Sequence, residues 1–253
     1  MRTLLRSISE AIRFLTIIPV PGKPPEKKTY ITAVYPVAGL LIGIIISSAA
    51  YAVSFLPFLL LNAVIIVSVK ITVTGGLHYD GLADLSDGLG GFRSRERRLE
   101  IMKDSRVGSF GVIAVVLMIM LQISAVYELL NGNYGVKKYY VLISAPVLSR
   151  GLIPLVMKLF RSARKEGMGA ENKNSTGLPS VIISAASVFI IIFLLNGPAG
   201  IVVFAAVSAV ILFSALYISR ILGGLTGDVY GALIEFADFL VIFISLILYN
   251  FLK

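Results

Sequence analysis

Three aspartates with helical spacing are the residues of this sequence best suited to chemistry. Asp80, Asp84 and Asp87 stand at positions i, i+4 and i+7, so a helix would carry all three carboxylates along one stripe. Three like charges side by side repel one another unless cations bind between them. Mg²⁺ prefers hard oxygen ligands and commonly bridges a few carboxylates to substrate phosphates. The spacing therefore predicts a magnesium site with these three residues as ligands.

The residues around the aspartates favour a metal site over a solvated acidic helix end. Each glycine inside a helix lowers its stability by roughly 1 kcal/mol relative to alanine, and so many glycines indicate that another group approaches the backbone closely. The glycines are Gly81, Gly88, Gly90 and Gly91. His78, the single histidine, lies two residues before Asp80 and is a candidate general base, as is Asp87. The alternative for His78 is a structural hydrogen-bonding role.

A basic region follows the acids directly. Its first part is an arginine cluster made of Arg93, Arg95, Arg97 and Arg98. Lys103 and Arg106 then flank Asp104 in the run MKDSRVGSFG. Acids that hold metal beside bases that hold phosphate suit phosphoryl or nucleotidyl transfer. We predict that Lys103 and Arg106 bind substrate and that Asp104 acts in catalysis. The arginine cluster, Arg93 included, contacts either substrate or anionic lipid.

Two later polar segments are further candidates for substrate binding. Arg161 and Arg164 lie in the short basic run RSARKEGMG, which either closes over a nucleotide or forms an anchoring loop. Thr226 and Asp228 lie among glycines in GGLTGDVYG. Asp228 is either a metal or ribose ligand or the N-cap of the helix that follows.

The composition requires that membrane helices position these residues. Of 253 residues, 57% are hydrophobic and 15% are charged, and the mean hydropathy is +0.90, against roughly 45–50% apolar and 25% charged in soluble domains. A water-soluble fold is thereby excluded. We predict an all-α polytopic membrane bundle of about seven transmembrane helices, with residues 1–253 forming one catalytic domain. The seven stretches are about 31–54, 57–77, 109–130, 139–160, 179–196, 199–219 and 232–252.

The first 20 residues have a different pattern. Leu4, Leu5, Ile8, Ile12 and Leu15 recur at helical spacing opposite polar and charged residues, which predicts an amphipathic helix at the membrane interface. A cleaved secretory signal is less consistent with the sequence, because charges interrupt the apolar run.

The distribution of charge predicts the orientation of the chain. The net charge is +9, but the Lys and Arg residues lie in short loops between apolar runs, which indicates membrane topology and not nucleic-acid binding. With the N-terminus in the cytoplasm, most of them fall on the cytoplasmic side. The cytoplasmic segments are then 1–30, 78–108, 161–178 and 220–231. We expect a multi-pass protein of the cytoplasmic membrane, in contact with lipid, whose active site faces the cytoplasm.

Several features inside the predicted spans need partners. Lys70, Arg150, Glu235 and Asp238 should face protein or a wet cavity. Gly39 and Gly43 form a GxxxG spacing that packs helices either within or between protomers. The chain has no cysteine, so thiolate metal sites and disulfides are excluded. A metal must be held mainly by oxygen, which points to Mg²⁺, Mn²⁺ or Ca²⁺.

Two runs in the catalytic segment, LHYDGLADLSDGL and LEIMKDSRVGSFGV, resemble the signature of the cobalamin synthase family, the adenosylcobinamide-GDP ribazoletransferases. Three other stretches also resemble it: AIRFLTIIPVP, RSARKEGMG and GGLTGDVYGALIE. The resemblance implies a Mg²⁺-dependent membrane enzyme that joins adenosylcobinamide-GDP to α-ribazole or its 5′-phosphate. A ribazole hydroxyl would attack the phosphorus attached to the cobinamide arm, and GMP would leave. Association with a second copy of the chain or with other enzymes of the cobalamin pathway is compatible with this activity.

Three other functions compete with this interpretation. A CDP-alcohol phosphotransferase performs similar chemistry, but its usual motif DGxxAR requires arginine where this chain has Asp84. A transporter would use the charges inside the spans, yet the densest polar chemistry lies at one membrane face and no repeat relates two halves. A non-catalytic scaffold would leave the aspartate stripe unexplained.

Overall fold

The computed structural model describes residues 2–21, 30–164 and 176–251, and these residues form helices joined by short connections. Within these ranges, the only β-type pairing is an isolated bridge between Ser162 and Leu225. The helices are α1 Arg2–Leu15, α2 Tyr35–Val53, α3 Leu59–Thr74, α4 Leu77–Leu89, α5 Arg95–Ile101, α6 Ser109–Asn131, α7 Lys137–Leu159, α8 Leu178–Leu222 and α9 Gly227–Phe251. One 3₁₀ turn, Thr32–Val34, leads into α2. The predicted all-α fold class is confirmed.

Five of the described helices are long and apolar enough to cross a membrane: α2 with its preceding turn, α6, α7, α8 and α9. Helices α3 and α4 pass the same test of length and apolar character only when they are counted together, and the two are bent by 90°. At about 1.5 Å per residue, the 16 residues of α3 rise about 24 Å, most of a core about 30 Å thick. We therefore treat α4 as lying at the end of α3, outside the membrane-spanning helices.

The bend between α3 and α4 is made by two glycines. Gly75 and Gly76 have φ of 63° and 68°, a left-handed backbone conformation that residues with a Cβ rarely adopt. Gly75 caps α3, and its backbone N–H donates to the Ile71 and Thr72 carbonyls. The chain can then turn sharply and begin α4 at once.

Helix α8 folds back on itself. Its 45 residues contain one non-helical position, Gly197, followed by Pro198. The rings of Phe189 and Phe204 lie 6.4 Å apart, whereas 15 residues of straight helix would separate them by about 22 Å. The two halves are therefore antiparallel neighbours, and they coincide with the predicted spans 179–196 and 199–219.

Helix α1 forms as predicted, but the face it buries is different. Ser7, Ala11 and Leu15 are buried at a spacing of four, whereas Leu4 and Leu5 are more than half exposed. The small side chains at positions 7 and 11 let the helix lie close against the bundle. The protein-facing stripe is therefore narrower and less apolar than the sequence pattern suggested.

The GxxxG pair packs helices within the chain. A Cβ on Gly43 would lie 2.6 Å from the Ile143 carbonyl oxygen of α7, and Gly39 meets the α7 backbone near Pro146 in the same way. Helices α2 and α7 therefore approach backbone to backbone along this stripe. Of the two possibilities that the sequence left open, contact within the protomer is the one observed.

The four charges predicted inside the spans pair with one another in the core. Lys70 Nζ lies 2.6 Å from Glu235 Oε2 and 2.9 Å from Asp238 Oδ2, and Arg150 Nη1 lies 2.8 Å from both Asp238 oxygens. All four residues are at least 93% buried. Two cations face two anions, so the cluster is balanced and links α3, α7 and α9. Gln122 of α6 completes it by accepting from Lys70 and donating to Glu235.

Candidate active site

Segments that are far apart in the sequence meet at one end of the bundle. The backbone N–H of Ala163 donates to the Leu225 carbonyl at 2.9 Å, and that of Leu225 donates to the Arg161 carbonyl at 2.8 Å. The Arg164 guanidinium also donates to the Met102 carbonyl, at 3.2 Å. These contacts hold the 161–164 segment against both the loop after α5 and the start of α9.

A glycine determines how closely α4 approaches α9. A Cβ on Gly81 would lie 2.7 Å from the carbonyl oxygen and 2.9 Å from the Cα atom of Asp228, so only glycine fits without a shift of the backbone. The close approach brings Asp80 and Asp84, on either side of Gly81 in the chain, next to the first turn of α9. Gly81 thus allows carboxylates from two helices to lie close together. We call these three residues the acidic cluster: Asp80, Asp84 and Asp228.

The carboxylates of the acidic cluster are close enough to act on one another. The pKa of Asp84 is raised to about 6, first by partial burial and then by the nearby charges of Asp80 and Asp228, while Arg164 acts in the opposite direction. A carboxyl group near neutral pKa, held between two carboxylates, is a site that a cation would stabilise.

Arg164 and Thr226 fix the position of Asp228. Arg164 Nη1 and Thr226 Oγ1 each donate to Asp228 Oδ2, both at 3.1 Å. Thr226 also accepts from the backbone N–H of Val229 and so caps α9. Among the described residues, the Oδ1 atom of Asp228 has no hydrogen-bond partner. The sequence-predicted substrate residues Arg164, Thr226 and Asp228 therefore do lie together.

A cavity of about 190 Å³ opens beside the acidic cluster. Its polar wall comprises His78, Asp80, Ser162, Arg164, Thr226 and Asp228, and its apolar wall comprises Phe14, Leu15, Tyr35, Leu77, Ile153, Met157 and Ile234. Gly81, Gly227, Tyr230 and Gly231 complete the lining. The cavity is polar at the helix ends and apolar toward the bundle core.

His78 joins this cavity to the buried ion pairs. It is 97% buried, and its Nδ1 atom lies 3.4 Å from Arg150 Nη2 and 3.7 Å from Glu235 Oε1. The cluster of charges below the cavity thus fixes the orientation of the ring. Both roles considered for His78 are compatible with this position, because a residue held by the core also lines the cavity.

Asp87 lies one turn beyond Asp84 on α4, adds to the charge that raises the pKa of Asp84, and has backbone partners of its own. Its Oδ2 atom accepts from the Gly108 N–H at 2.7 Å, and its Oδ1 atom accepts from the Gly111 N–H at 2.8 Å. These amides are in the first turn of α6 or just before it, where backbone donors lack helical partners. Asp87 therefore anchors the loop that precedes α6 to α4, and it does not line the cavity.

The other predicted basic and acidic residues lie on the exposed surface. Asp104 accepts a bidentate ion pair from Arg106, at 3.0 and 2.8 Å, which lowers the pKa of Asp104 to about 2. Arg93, Lys103 and Arg161 are exposed and do not line the cavity.

Arg98 has a structural function within the arginine cluster. Its guanidinium donates to the carbonyls of Gly88, Leu89, Gly91 and Arg93, the last turn of α4 and the loop after it. It satisfies carbonyls that have no helical partner at this terminus.

The donor set fits a hydrated divalent cation better than a preassembled cage. Among residues 2–21, 30–164 and 176–251, no group of three His, Asp or Glu side chains is already arranged around a common point. Mg²⁺ does not need one, since it keeps several waters and is held by one or two carboxylates together with substrate phosphates. Asp80, Asp84 and the unused oxygen of Asp228 are the groups that could hold it.

Three residues of the site were not anticipated from the sequence. Tyr230 lines the cavity and is 95% buried, yet its hydroxyl has no hydrogen-bond partner in the described part of the chain. Gln122 and Ser149 hydrogen bond to the buried carboxylates. Tyr230 directly follows the GDV run, and its position in a glycine-rich segment was the one available signal.

Comparison with known proteins gives one consistent result. The sequence matches the cobalamin-5-phosphate synthase family over residues 7–246. An adenosylcobinamide-GDP ribazoletransferase of Chlorobium phaeobacteroides is 36% identical over 242 residues, which cover 94% of this chain and 96% of the relative. A protein of the same name from Brevibacillus brevis is 38% identical over 250 residues, which cover 95% and 97%. No solved structure matches the chain. The chain belongs to the cobalamin-5-phosphate synthase family.

Proposed function

We propose that this protein transfers the cobinamide phosphate of adenosylcobinamide-GDP to α-ribazole or its 5′-phosphate, with Mg²⁺ as cofactor and GMP as the leaving group. One structural observation carries the proposal: carboxylates from two helices and an arginine from a third segment meet beside a cavity that can receive an acceptor. The activity named for the relatives supplies the substrates. The family match also favours this reaction over that of a CDP-alcohol phosphotransferase.

The diphosphate would be bound in two ways, through Mg²⁺ held by the acidic cluster and through direct contact with Arg164. Asp80, Asp84 and Asp228 would hold Mg²⁺. This assignment, in preference to one that includes Asp87, is supported by the raised pKa of Asp84 and by the Asp228 oxygen that has no partner among the described residues. When bound, Mg²⁺ offsets charge on the diphosphate and stabilises the departing GMP. Arg164, held at the cavity, completes the neutralisation by contacting a phosphate oxygen.

His78 is the residue we assign as general base. The attacking hydroxyl of the ribazole must lose its proton as the new phosphorus–oxygen bond forms and the bond to the GMP oxygen breaks. His78 lines the cavity in which an acceptor would lie. Asp87, the other candidate, uses both oxygens to accept from backbone amides.

The pairing of the charges inside the bundle argues against a transport function. Lys70, Arg150, Glu235 and Asp238 are paired with one another and buried. A transport pathway would need such groups to face water or a moving ion.

The test is GMP release by the purified chain in detergent, given adenosylcobinamide-GDP and α-ribazole phosphate. We expect release that needs both substrates and Mg²⁺ and that stops on addition of EDTA. Asp84→Asn should abolish release, whereas Glu128→Gln, a change in α6 that leaves the acidic cluster untouched, should not. Release without the acceptor, or equal release from wild type and Asp84→Asn, would contradict the proposal.

A further inference from the structure

The cavity beside the acidic cluster has one feature that its own contacts do not explain. Tyr230 is 95% buried, and its hydroxyl oxygen has no partner among the described residues. A buried hydroxyl left without a hydrogen bond costs roughly 1–3 kcal/mol. Because Tyr230 lines the cavity, a bound molecule is the natural source of the missing partner.

The walls of the cavity restrict what that molecule can be. The rings of Phe14 and Tyr35 are stacked, with centroids 6.2 Å apart and planes 17° apart, and both line the cavity. Ile153, Met157 and Ile234 extend the same apolar surface. A flat aromatic group would gain contact with this surface, whereas a group with several hydrogen-bonding atoms on its edge would leave some of them unpaired.

The volume of the cavity sets a further limit. At about 190 Å³ it is smaller than the roughly 300–1,000 Å³ pockets that enclose drug-sized ligands. It can receive one bicyclic ring system but neither a corrin macrocycle nor a complete dinucleotide. The larger substrate must therefore bind outside, across the acidic cluster.

We infer that the cavity binds the base of the acceptor nucleoside and that Tyr230 donates a hydrogen bond to its single free ring nitrogen. This inference rests on the proposed function. A dimethylbenzimidazole riboside has a flat, methylated base with one such nitrogen, which matches one unpartnered hydroxyl in a cavity whose inner wall is apolar. Guanine has several donors and acceptors and matches poorly. With the base against Phe14 and Tyr35, the sugar points toward Thr226 and Asp228 at the polar end.

Direct binding tests this assignment without turnover. The purified full chain is dialysed to equilibrium against 5,6-dimethylbenzimidazole riboside in the absence of any donor. We expect Tyr230→Phe to weaken binding about tenfold, the effect of one hydrogen bond, and Ile234→Phe to weaken it by narrowing the cavity. Tyr217→Phe, which alters an exposed tyrosine of α8, should bind like wild type.

Binding of GMP in the presence of Mg²⁺ serves as the folding control. We expect both cavity variants to retain it, because the nucleotide lies outside the cavity. Unchanged riboside binding in Tyr230→Phe and Ile234→Phe would overturn the inference, as would selective loss of GMP binding. Absence of GMP release in a wild-type chain that still binds the riboside through Tyr230 would refute the proposed function and leave the cavity assignment intact.

Discussion

Asp84 is the residue whose chemistry depends most directly on its neighbours. Partial burial and the charges of Asp80 and Asp228 raise its pKa to about 6. A cation binds the ionised form, so protons compete with the cation as the pH falls through 6, and the competition vanishes well above it. We expect the apparent affinity for Mg²⁺ to fall about tenfold for each pH unit below 6 and to be constant above 7. Titration of GMP release against Mg²⁺ from pH 5 to 8 would show this, and a flat profile would contradict it.

Asp84 and Asp87 make a matched pair, because both are acids on α4 with different partners. Asp87 accepts from the Gly108 and Gly111 amides, and hydrogen bonds to a charged group contribute about 1.5–3 kcal/mol each. We expect Asp87→Asn to lower the unfolding temperature and leave the apparent Mg²⁺ affinity unchanged. Asp84→Asn should lower the apparent Mg²⁺ affinity and leave the unfolding temperature unchanged. Thermal unfolding and direct Mg²⁺ binding by equilibrium dialysis, measured for both variants, would separate the roles. Loss of Mg²⁺ affinity in Asp87→Asn would restore Asp87 as a metal ligand.

At the scale of helices, the approach of α4 to α9 assembles the acidic cluster, and Gly81 permits it. A Cβ at this position would lie 2.7 Å from the Asp228 carbonyl oxygen, and a backbone atom cannot move aside as a flexible side chain can. We expect Gly81→Ala to reduce GMP release more than tenfold while helix content stays the same. Gly177→Ala is the control, since its Cβ would meet, among the described residues, only Pro179, at 3.4 Å. Full activity in Gly81→Ala would show that the two helices need not touch.

The helices themselves could be predicted from the sequence, because apolar runs report burial in lipid or protein directly. The three-dimensional site could be predicted only in part. The helical spacing predicted that Asp80, Asp84 and Asp87 follow one stripe of a helix, and all three lie on α4. It did not predict that Asp87 accepts from amides 21 and 24 residues further along the chain. Contacts over such separations depend on how helices pack. The 90° bend after α3 likewise depends on two left-handed glycines that hydropathy does not register.

At the scale of the whole molecule, the site occupies one end of the bundle, and we expect that end to face the cytoplasm. The chain has no cysteine, so single cysteines can be placed without a background. Ser105→Cys lies in an exposed loop at the site end, and Asn133→Cys lies in an exposed loop at the opposite end. A membrane-impermeant maleimide added to intact cells should label only the second variant. Labelling of Ser105→Cys alone would show that the site end faces the outside of the cell.

The core of the molecule must accommodate four charges, and their balance makes a prediction about stability. Arg150 and Lys70 face Asp238 and Glu235, and removal of one partner from a buried pair costs about 3–5 kcal/mol because the other is left uncompensated. We expect Arg150→Met to lower the unfolding temperature strongly. The double variant Arg150→Met, Asp238→Leu should be more stable than that single variant, since Lys70 and Glu235 still form a neutral pair. The chain has no tryptophan, so circular dichroism in detergent is the suitable measurement. If the two changes were simply additive, the cluster would not act as one balanced unit, and the ring of His78 would need another source of orientation.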